Sequence, residues 1–352
     1  MPRAGVILTI VGCALAGACA RSMPTDLHPP TPVYHPDAAE PAVVRPVATY
    51  SIIARDNTTG ELGAAVQSHW FSVGSVVPWA RQGVGVVATQ SLVDVRYGPL
   101  GLELMATGRS ATEALDALTS SDPQSAVRQV AMIDAKGDVA NHTGDRCIAK
   151  TSMTSATNAA GYTLSCQANL MEKDGVAEAM RKAFVRTPGE MSERLMAALE
   201  AAEAAGGDIR GRQSAAMIVV KGGPPTLTPW AERTIDIRIE DNPEPLRELR
   251  RTLLIARGYA AMNDGDLALE KGDLAGALAA YERAESLIAD NVEPAFWTGV
   301  SLANAGRIDE ALPRFARCFD ADPRWRETLR RLVPAGLITV DQPTLDRLLA
   351  AK

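Results

Sequence analysis

The sequence predicts an α+β protein in which stacked, mainly antiparallel sheets covered by helices are followed by an all-helical tail. Residues 48–241 contain β-like runs, several joined by short hairpin turns, with amphipathic helical segments between them. After Pro243 and Pro245 no strand-like run follows, and an internal repeat with a period of 34 residues begins. We therefore expect one domain over residues 48–241 and a helical domain over residues 242–352.

The N-terminus has the order of an export signal. Arg3 gives a positive start, residues 4–15 are apolar, and the small residues 16–18 precede Cys19. The apolar run is too short to be a permanent membrane helix. We predict a signal peptide over residues 1–19, which is either simply cleaved or a lipoprotein signal with Cys19 as the lipidation site. The protein is then exported, and is either periplasmic or held at the membrane by the lipid alone.

The segment that follows the signal is rich in proline. Residues 20–47 contain prolines at positions 24, 29, 30, 32, 36, 41 and 46. Proline has a fixed φ and no amide hydrogen, so such a stretch does not build a core. We interpret it as an extended tether.

The spacing of apolar residues predicts the elements of the first domain. The predicted strands are residues 48–55, 62–68, 84–90, 127–133, 138–142, 162–167, 213–221 and 233–239. The predicted helices are residues 100–107, 111–119, 176–184 and 191–205. Residues 83–88 also match a loose dinucleotide-binding pattern. A helix would have to open on those glycines, and here a strand continues instead, which favours a buried strand.

The tail repeats a pattern of small and aromatic residues. Gly265, Gly272, Ala277, Tyr281 and Ala284 recur as Gly299, Gly306, Ala311, Phe315 and Cys318. This is the tetratricopeptide period, in which small residues sit where paired helices cross. Two repeats leave apolar faces open, so we expect a helix over residues 245–262 and the segment 325–351 to cap them.

Composition excludes several classes of function. A net charge of -6, with no basic face and 5% aromatic residues, argues against nucleic-acid binding. Four histidines without paired spacing predict no metal site, and no cofactor motif is present. Cys147, Cys166 and Cys318 are expected to be buried thiols, with a disulfide between Cys147 and Cys166 as the alternative.

Polar residues gather at the predicted strand ends, where side chains from several strands can line one cleft. The candidate catalytic residues are Thr49, Ser51, His69, Gln90 and Asn169. The candidate substrate-binding residues are Ser68, Tyr97, His142, Asp208, Arg210 and Arg212. By residue type, Gln90 and Asn169 suit oxyanion donation, and Arg212 suits a substrate carboxylate. Capping and turn roles, structural histidines and a structural ion pair in residues 208–212 are the alternatives.

Four stretches carry a resemblance to a known family. They are TYSIIARD (49–56), QSHWFSVG (67–74), ATQS (88–91) and GGDIRGRQSAA (206–216). Over residues 48–240 the chain resembles the bacterial family called domain of unknown function 1028, within the N-terminal nucleophile (Ntn) hydrolase superfamily. The tail resembles the helical segment of some members that is labelled peptidoglycan-binding.

The resemblance implies an αββα sandwich and a specific chemistry. In the superfamily, a Thr, Ser or Cys is exposed as the first residue of the mature chain, and its own α-amino group acts as the general base. The residue that matches is Thr49, which a cut after Ala48 would expose.

Two functions from different classes follow as expectations. The first is an extracytoplasmic Ntn-type amidohydrolase that acts without a cofactor on a small amide or peptide, such as a cell-wall fragment. The second is a non-catalytic envelope scaffold, in which the sandwich pocket and the helical repeats bind a peptide, peptidoglycan or protein partner. A purely structural tail, which covers the first domain or mediates homo-oligomerisation, is a further alternative to partner binding.

Overall fold

The structure is a computed structural model that describes residues 49–226 and 233–352. The predicted signal peptide, the tether and Cys19 lie outside the described residues. The strands are β1 (Thr49–Asp56), β2 (Leu62–Ser68), β3 (Pro78–Arg81), β4 (Gly85–Ser91), β5 (Arg128–Asp134), β6 (Val139–Thr143), β7 (Ser152–Ala159), β8 (Tyr162–Asn169), β9 (Ser214–Val220) and β10 (Arg233–Ile239). The helices are α1 (Tyr97–Ala106), α2 (Ala111–Ser121), α3 (Val176–Arg186), α4 (Met191–Ala204), α5 (Pro245–Glu270), α6 (Leu274–Leu287), α7 (Glu293–Asn304), α8 (Ile308–Ala321), α9 (Arg324–Leu332) and α10 (Gln342–Leu349).

Two antiparallel sheets form the first domain. One has six strands in the order β10-β9-β2-β1-β8-β7, and the other has four in the order β3-β4-β5-β6. Side chains alternate between the two faces of each strand. Consecutive residues of the central strands are buried, so both of their faces are covered. On β1, Ile52 faces the helices and Ile53 faces the opposite sheet.

The layers follow from these two faces. Helices α3 and α4 cover the outer face of the six-stranded sheet, where Met180 and Leu199 belong to the same core as Ile52. Helices α1 and α2 cover the four-stranded sheet, and Leu102 and Leu115 are among the helix residues buried against it. The two inner faces pack on each other through an apolar core of their own. The fold class is therefore confirmed as α+β, with helices outside two stacked sheets.

The structure adds two strands that the sequence pattern did not reveal. Strand β3 has four residues and begins with Pro78, so it gives almost no periodic signal. Strand β7 lies at the sheet edge and contains mostly small polar residues. An edge strand needs little apolar character because much of it stays in contact with water. The buried glycine-rich strand was predicted correctly, since residues 85–91 form β4 and no helix begins there.

Helix α5 is longer than predicted and joins the two parts of the chain. It runs past Met262 to Glu270 and ends just before Gly272, which has φ 74°. Its first half places Leu246, Leu249 and Leu253 in the same core as α3 and α4. The long helix therefore belongs to the first domain as well as to the tail.

Charged pairs reinforce this junction. The Arg250 guanidinium lies 2.6 Å from Glu193 and 2.7 Å from Glu200, both on α4. Arg257 also pairs with Glu193, and it lies 3.0 Å from Glu190. Packing and ion pairs together hold α5 on the sandwich.

The tail contains two similar pairs of helices. A Cβ atom at Gly265 would lie 2.6 Å from the Tyr281 ring, and one at Gly299 would lie 3.1 Å from the Phe315 ring. Each small residue thus admits the aromatic ring at the equivalent position of its partner helix. The tetratricopeptide identity of these pairs stays a prediction. No helix in the described parts of the chain is both long enough and apolar enough to cross a membrane.

The three described cysteines are free thiols, so the alternative disulfide between Cys147 and Cys166 is wrong. Cys166 is fully buried within the helix-covered core, and burial raises its pKa. Cys147 lies in the loop after β6, where its thiol donates to the carbonyl oxygen of Arg128 at 3.3 Å.

Candidate active site

The space between the two sheets is apolar over most of its length and polar where β1 begins. There it contains a group of buried polar side chains, which we call the polar end. Its members are Thr49, Ser51, Ser68, Gln90, Gln129, Gln167 and Asn169. Buried polar groups are costly unless they are hydrogen-bonded, so this concentration calls for a structural or chemical reason.

Thr49 lies at the centre of the polar end. It is the first residue of β1 and pairs with Ser68 on β2 and with Asn169 on β8. Its hydroxyl donates to Ser68 Oγ at 3.1 Å. Its carbonyl oxygen accepts from Gln90 Nε2 at 3.1 Å and from Asn169 Nδ2 at 3.5 Å. Gln90 and Asn169, which we predicted as oxyanion donors, therefore hold Thr49 itself.

Gln129 is a member of the polar end that the sequence analysis missed. Its Oε1 accepts from Gln90 Nε2 at 2.7 Å and from Asn169 Nδ2 at 3.1 Å. Its Nε2 donates to the carbonyl oxygen of Ala168 at 3.2 Å. Gln129 shares one face of β5 with Ala131 and Ile133, so a polar residue at the third position of an alternating apolar run was the available signal.

Ser51 joins a fourth amide to the network. Its hydroxyl donates to Gln90 Oε1 at 2.7 Å and accepts from Gln167 Nε2 at 3.1 Å. Gln167 also donates to the carbonyl oxygen of Ala88 at 3.1 Å. Five of the predicted residues thus meet in one network, namely Thr49, Ser51, Ser68, Gln90 and Asn169.

A second predicted group lies at the edge of this site. The Asp208 side chain is fully buried and holds Arg210 through two bonds, at 3.1 Å and 2.9 Å. Asp208 also accepts from the backbone N–H of His69 at 3.0 Å. The His69 side chain itself is exposed. Asp208 and Arg210 therefore form a structural ion pair that ties the loop before β9 to the end of β2.

Three predicted residues lie elsewhere. Arg212 lies 3.2 Å from Glu203 and 2.6 Å from Glu244, and Glu203 also accepts from the Tyr50 hydroxyl on the helix-covered face. Tyr97 donates to Asp122 at 3.1 Å in the outer helix layer. His142 Nε2 lies 2.7 Å from the carbonyl oxygen of Ser125. These contacts are structural and keep the three side chains out of the polar end.

Backbone strain occurs where two strands leave the polar end. Ser91, the last residue of β4, has φ 73°, and Leu170, which follows β8, has φ 56°. A left-handed conformation costs a residue with a Cβ atom about 1–2 kcal/mol. Such strain is concentrated at functional sites in proteins.

Two buried glutamines on the strands that flank β1 provide a direct test of these hydrogen bonds. Gln67 faces the helix side of β2, and neither of its amide atoms has a partner among the described residues. Gln67→Met should therefore stabilise the fold by about 1–2 kcal/mol. The matched change Gln167→Met should cost about 1–3 kcal/mol, because it leaves Ser51 and the Ala88 carbonyl without a donor. Urea unfolding measures both, and equal signs would contradict this assignment.

A separate cavity of about 570 Å³ lies at the other end of β1, between the sandwich and α5. Glu61 lines it, and burial, followed by the charges of Asp56 and Glu190, raises the pKa of Glu61 to about 7. The folded protein therefore keeps a proton between pH ~4.5 and ~7 that the unfolded chain releases. The contribution of Glu61 to the free energy of unfolding consequently falls as the pH rises through that window.

Replacing Glu61 by glutamine should remove this loss. We expect Glu61→Gln to stabilise the protein at pH 8 by roughly 1–2 kcal/mol, which is less than full burial would give because Glu61 keeps some contact with solvent. At pH 4 the effect should be close to zero. Urea midpoints at both pH values, with the exposed Glu172→Gln as control, measure the difference. An equal gain at both pH values would contradict the assignment.

No group of three or more potential metal ligands occurs among residues 49–226 and 233–352. The polar end provides amides and hydroxyls rather than thiolates, imidazoles or carboxylates. The chemistry that this donor set supports is hydrogen bonding around the Thr49 hydroxyl.

Comparisons with known proteins agree with the resemblance at the level of the family. No curated protein matches the chain. A crystal structure of a protein from Silicibacter pomeroyi, described with the same family model, is similar to it with a TM-score of 0.50 and 28% sequence identity. The similarity covers 58% of this chain and 88% of that one. The model of the family of unknown function DUF1028 matches residues 49–249, from the first residue of β1 into α5. The chain therefore belongs to the DUF1028 family.

Proposed function

We propose that the protein is an exported amide hydrolase of the Ntn type, in which Thr49 is the nucleophile after the peptide bond to Ala48 is cut. The observation that carries this proposal is the position of Thr49. It begins β1, and its hydroxyl lies in a buried polar network between two sheets. The family match begins at the same residue.

Cleavage would supply the base that the polar end lacks. The freed α-amino group has an ordinary pKa of ~8, so roughly a tenth to a third of it is neutral near physiological pH. It would take the proton of the Thr49 hydroxyl as Oγ1 attacks the substrate carbonyl. The C–N bond then breaks, the leaving amine takes that proton, and water hydrolyses the ester on Thr49.

The surroundings of Thr49 suit this chemistry. In the intact chain, Ser68 Oγ accepts a hydrogen bond from the Thr49 hydroxyl. Gln90 and Asn169 fix the carbonyl group of Thr49. Preorganised contacts of this kind keep a nucleophile in one orientation. Exposed apolar side chains lie on the loops at this end, with Phe71 64% and Ile209 58% exposed. They favour a small amide or peptide with an apolar part, such as a cell-wall fragment.

A comparison of intact and cut protein tests the proposal. A recognition sequence for a site-specific protease would be placed directly before Thr49, and the full-length protein would be cut after folding. We call the product the cut chain. Hydrolysis of a library of small amides and cell-wall peptides is expected from the cut chain and not from the intact protein. Equal absence of turnover in both would overturn the proposal.

Burial of the site favours a second candidate, an envelope scaffold. Thr49 is fully buried in the intact chain, and its carbonyl group is already hydrogen-bonded. A chain that stays uncut would keep this network as structure and would use other surfaces for binding. Binding of the full chain to purified sacculi, together with no turnover by the cut chain, is the result expected from a scaffold.

A further inference from the structure

Backbone carbonyl groups fix the direction of every amide around Thr49. A carbonyl oxygen can only accept, so the side-chain nitrogen of Gln129 must face Ala168 and its oxygen must face the other way. Gln90 and Asn169 must then present their nitrogens to Gln129 Oε1. Both nitrogens also face the carbonyl oxygen of Thr49, which requires the same orientation. No amide of this network can flip without losing these bonds.

The atoms left over are acceptors. Within the described residues, Asn169 Oδ1 and Gln167 Oε1 are buried and have no hydrogen-bond partner. Every side-chain nitrogen of the four amides at the polar end is used. A buried acceptor without a donor costs about 1–3 kcal/mol. At the polar end, the buried hydrogen-bond acceptors therefore outnumber the donors that reach them.

Asn169 is the spare acceptor beside Thr49. The two residues are direct partners in the pairing of β1 with β8, so their Cβ atoms lie side by side, about 5 Å apart. Gln167 is paired two residues further along, opposite Ser51. A donor that arises at the first residue of β1 is within reach of Asn169 before it is within reach of Gln167.

We infer that Asn169 Oδ1 accepts a hydrogen bond from the free α-amino group of Thr49 once the bond to Ala48 is cut. This inference rests on the proposed function, because it needs the same cut. Cleavage replaces one peptide N–H by an ammonium group with three N–H donors at the residue next to Asn169. Asn169 is then a positioning residue for the amine. Gln129 accepts from Asn169 Nδ2 and so keeps the Asn169 oxygen turned towards that amine.

The pKa of the Thr49 α-amine is the readout, because it needs no substrate. Competitive acetylation with acetic anhydride over a pH series, read by mass spectrometry of the N-terminal peptide, measures it in the cut chain. A hydrogen bond from the ammonium form to Asn169 stabilises the charged state. We expect Asn169→Leu to lower the pKa of the amine by about one pH unit. Asn169→Asp, which keeps an acceptor and adds charge, should raise it.

Gln90→Met is the matched control. It removes bonds to the same two acceptors as Asn169→Leu, the Thr49 carbonyl and Gln129 Oε1, and also the bond that Ser51 donates to Gln90, but no spare acceptor. The amine of this variant should titrate within a few tenths of a pH unit of wild type. An amine pKa that is the same in wild type, Asn169→Leu and Asn169→Asp would overturn the inference and point to a buried water as the donor.

The two proposals fail in different ways. If turnover depends on Thr49 but the pKa of the amine does not change with Asn169, only the role of Asn169 is ruled out. If the amine pKa changes with Asn169 but the cut chain shows no turnover, the hydrolase function is ruled out and the hydrogen bond to Asn169 stands.

Discussion

Thr49→Ala in the cut chain is expected to lower amide turnover by about a thousandfold or more. The change removes the hydroxyl that the proposed reaction acylates, and the neighbouring Ser68 hydroxyl is on the paired strand rather than on the residue that carries the amine. Loss of a nucleophile is among the largest single effects in enzymes. Thr49→Ser keeps the hydroxyl and should retain a substantial part of the activity. Rates are measured on the best amide substrate of the library.

A buried threonine outside the polar end serves as the control. Thr163 is 1% exposed on β8, and its hydroxyl donates to Asn57 at 3.1 Å. Thr163→Val should leave the turnover rate nearly unchanged, although it lowers stability. Full activity of Thr49→Ala would rule out the proposed nucleophile.

Leu253→Ala is expected to destabilise the first domain by about 2–5 kcal/mol. Leu253 lies on α5 and is fully buried in the core that α3, α4 and the six-stranded sheet share. Removing its side chain leaves a cavity at the junction of sandwich and tail. The loss should appear when unfolding is followed by a probe in the sandwich, such as the tryptophan signal of a variant that keeps only Trp70 and Trp79.

Leu267→Ala is the matched control on the same helix, since that side chain is 50% exposed. Its effect should stay within about 0.5 kcal/mol. If Leu253→Ala leaves the sandwich as stable as Leu267→Ala does, α5 is not part of the first domain's core.

The sequence was most informative where one periodicity dominated. The hairpin of β1 and β2 and helices α3 and α4 were predicted to within a few residues, because their apolar spacing is regular. The edge strand β7 gave no such pattern, since its residues are mostly small and polar. The predicted helix over residues 245–262 ended too early. The apolar side of α5 changes its packing partner along the helix, from the sandwich core to Tyr281.

The candidate site was only partly predictable, for a physical reason. Strand-end polarity identified Thr49, Gln90 and Asn169, which one antiparallel register and the stacking of two sheets bring together. It also selected Arg212 and His142, because sequence position does not reveal which face of the sheet a residue near a strand end reaches. Gln129 interrupts the inward-facing apolar residues of β5, a signal that the search of strand ends did not use, and its contacts identify it as part of the site.

The measurement that bears most directly on the account is the first residue of the protein isolated from cells that express the full chain. Periodate converts an N-terminal threonine with a free amine into an aldehyde and leaves an acylated or internal threonine intact. The expected result is a mature chain that starts at Thr49 and reacts with periodate. A mature chain that starts upstream, at Cys19 or within residues 20–47, and stays inert to periodate would contradict the proposed nucleophile.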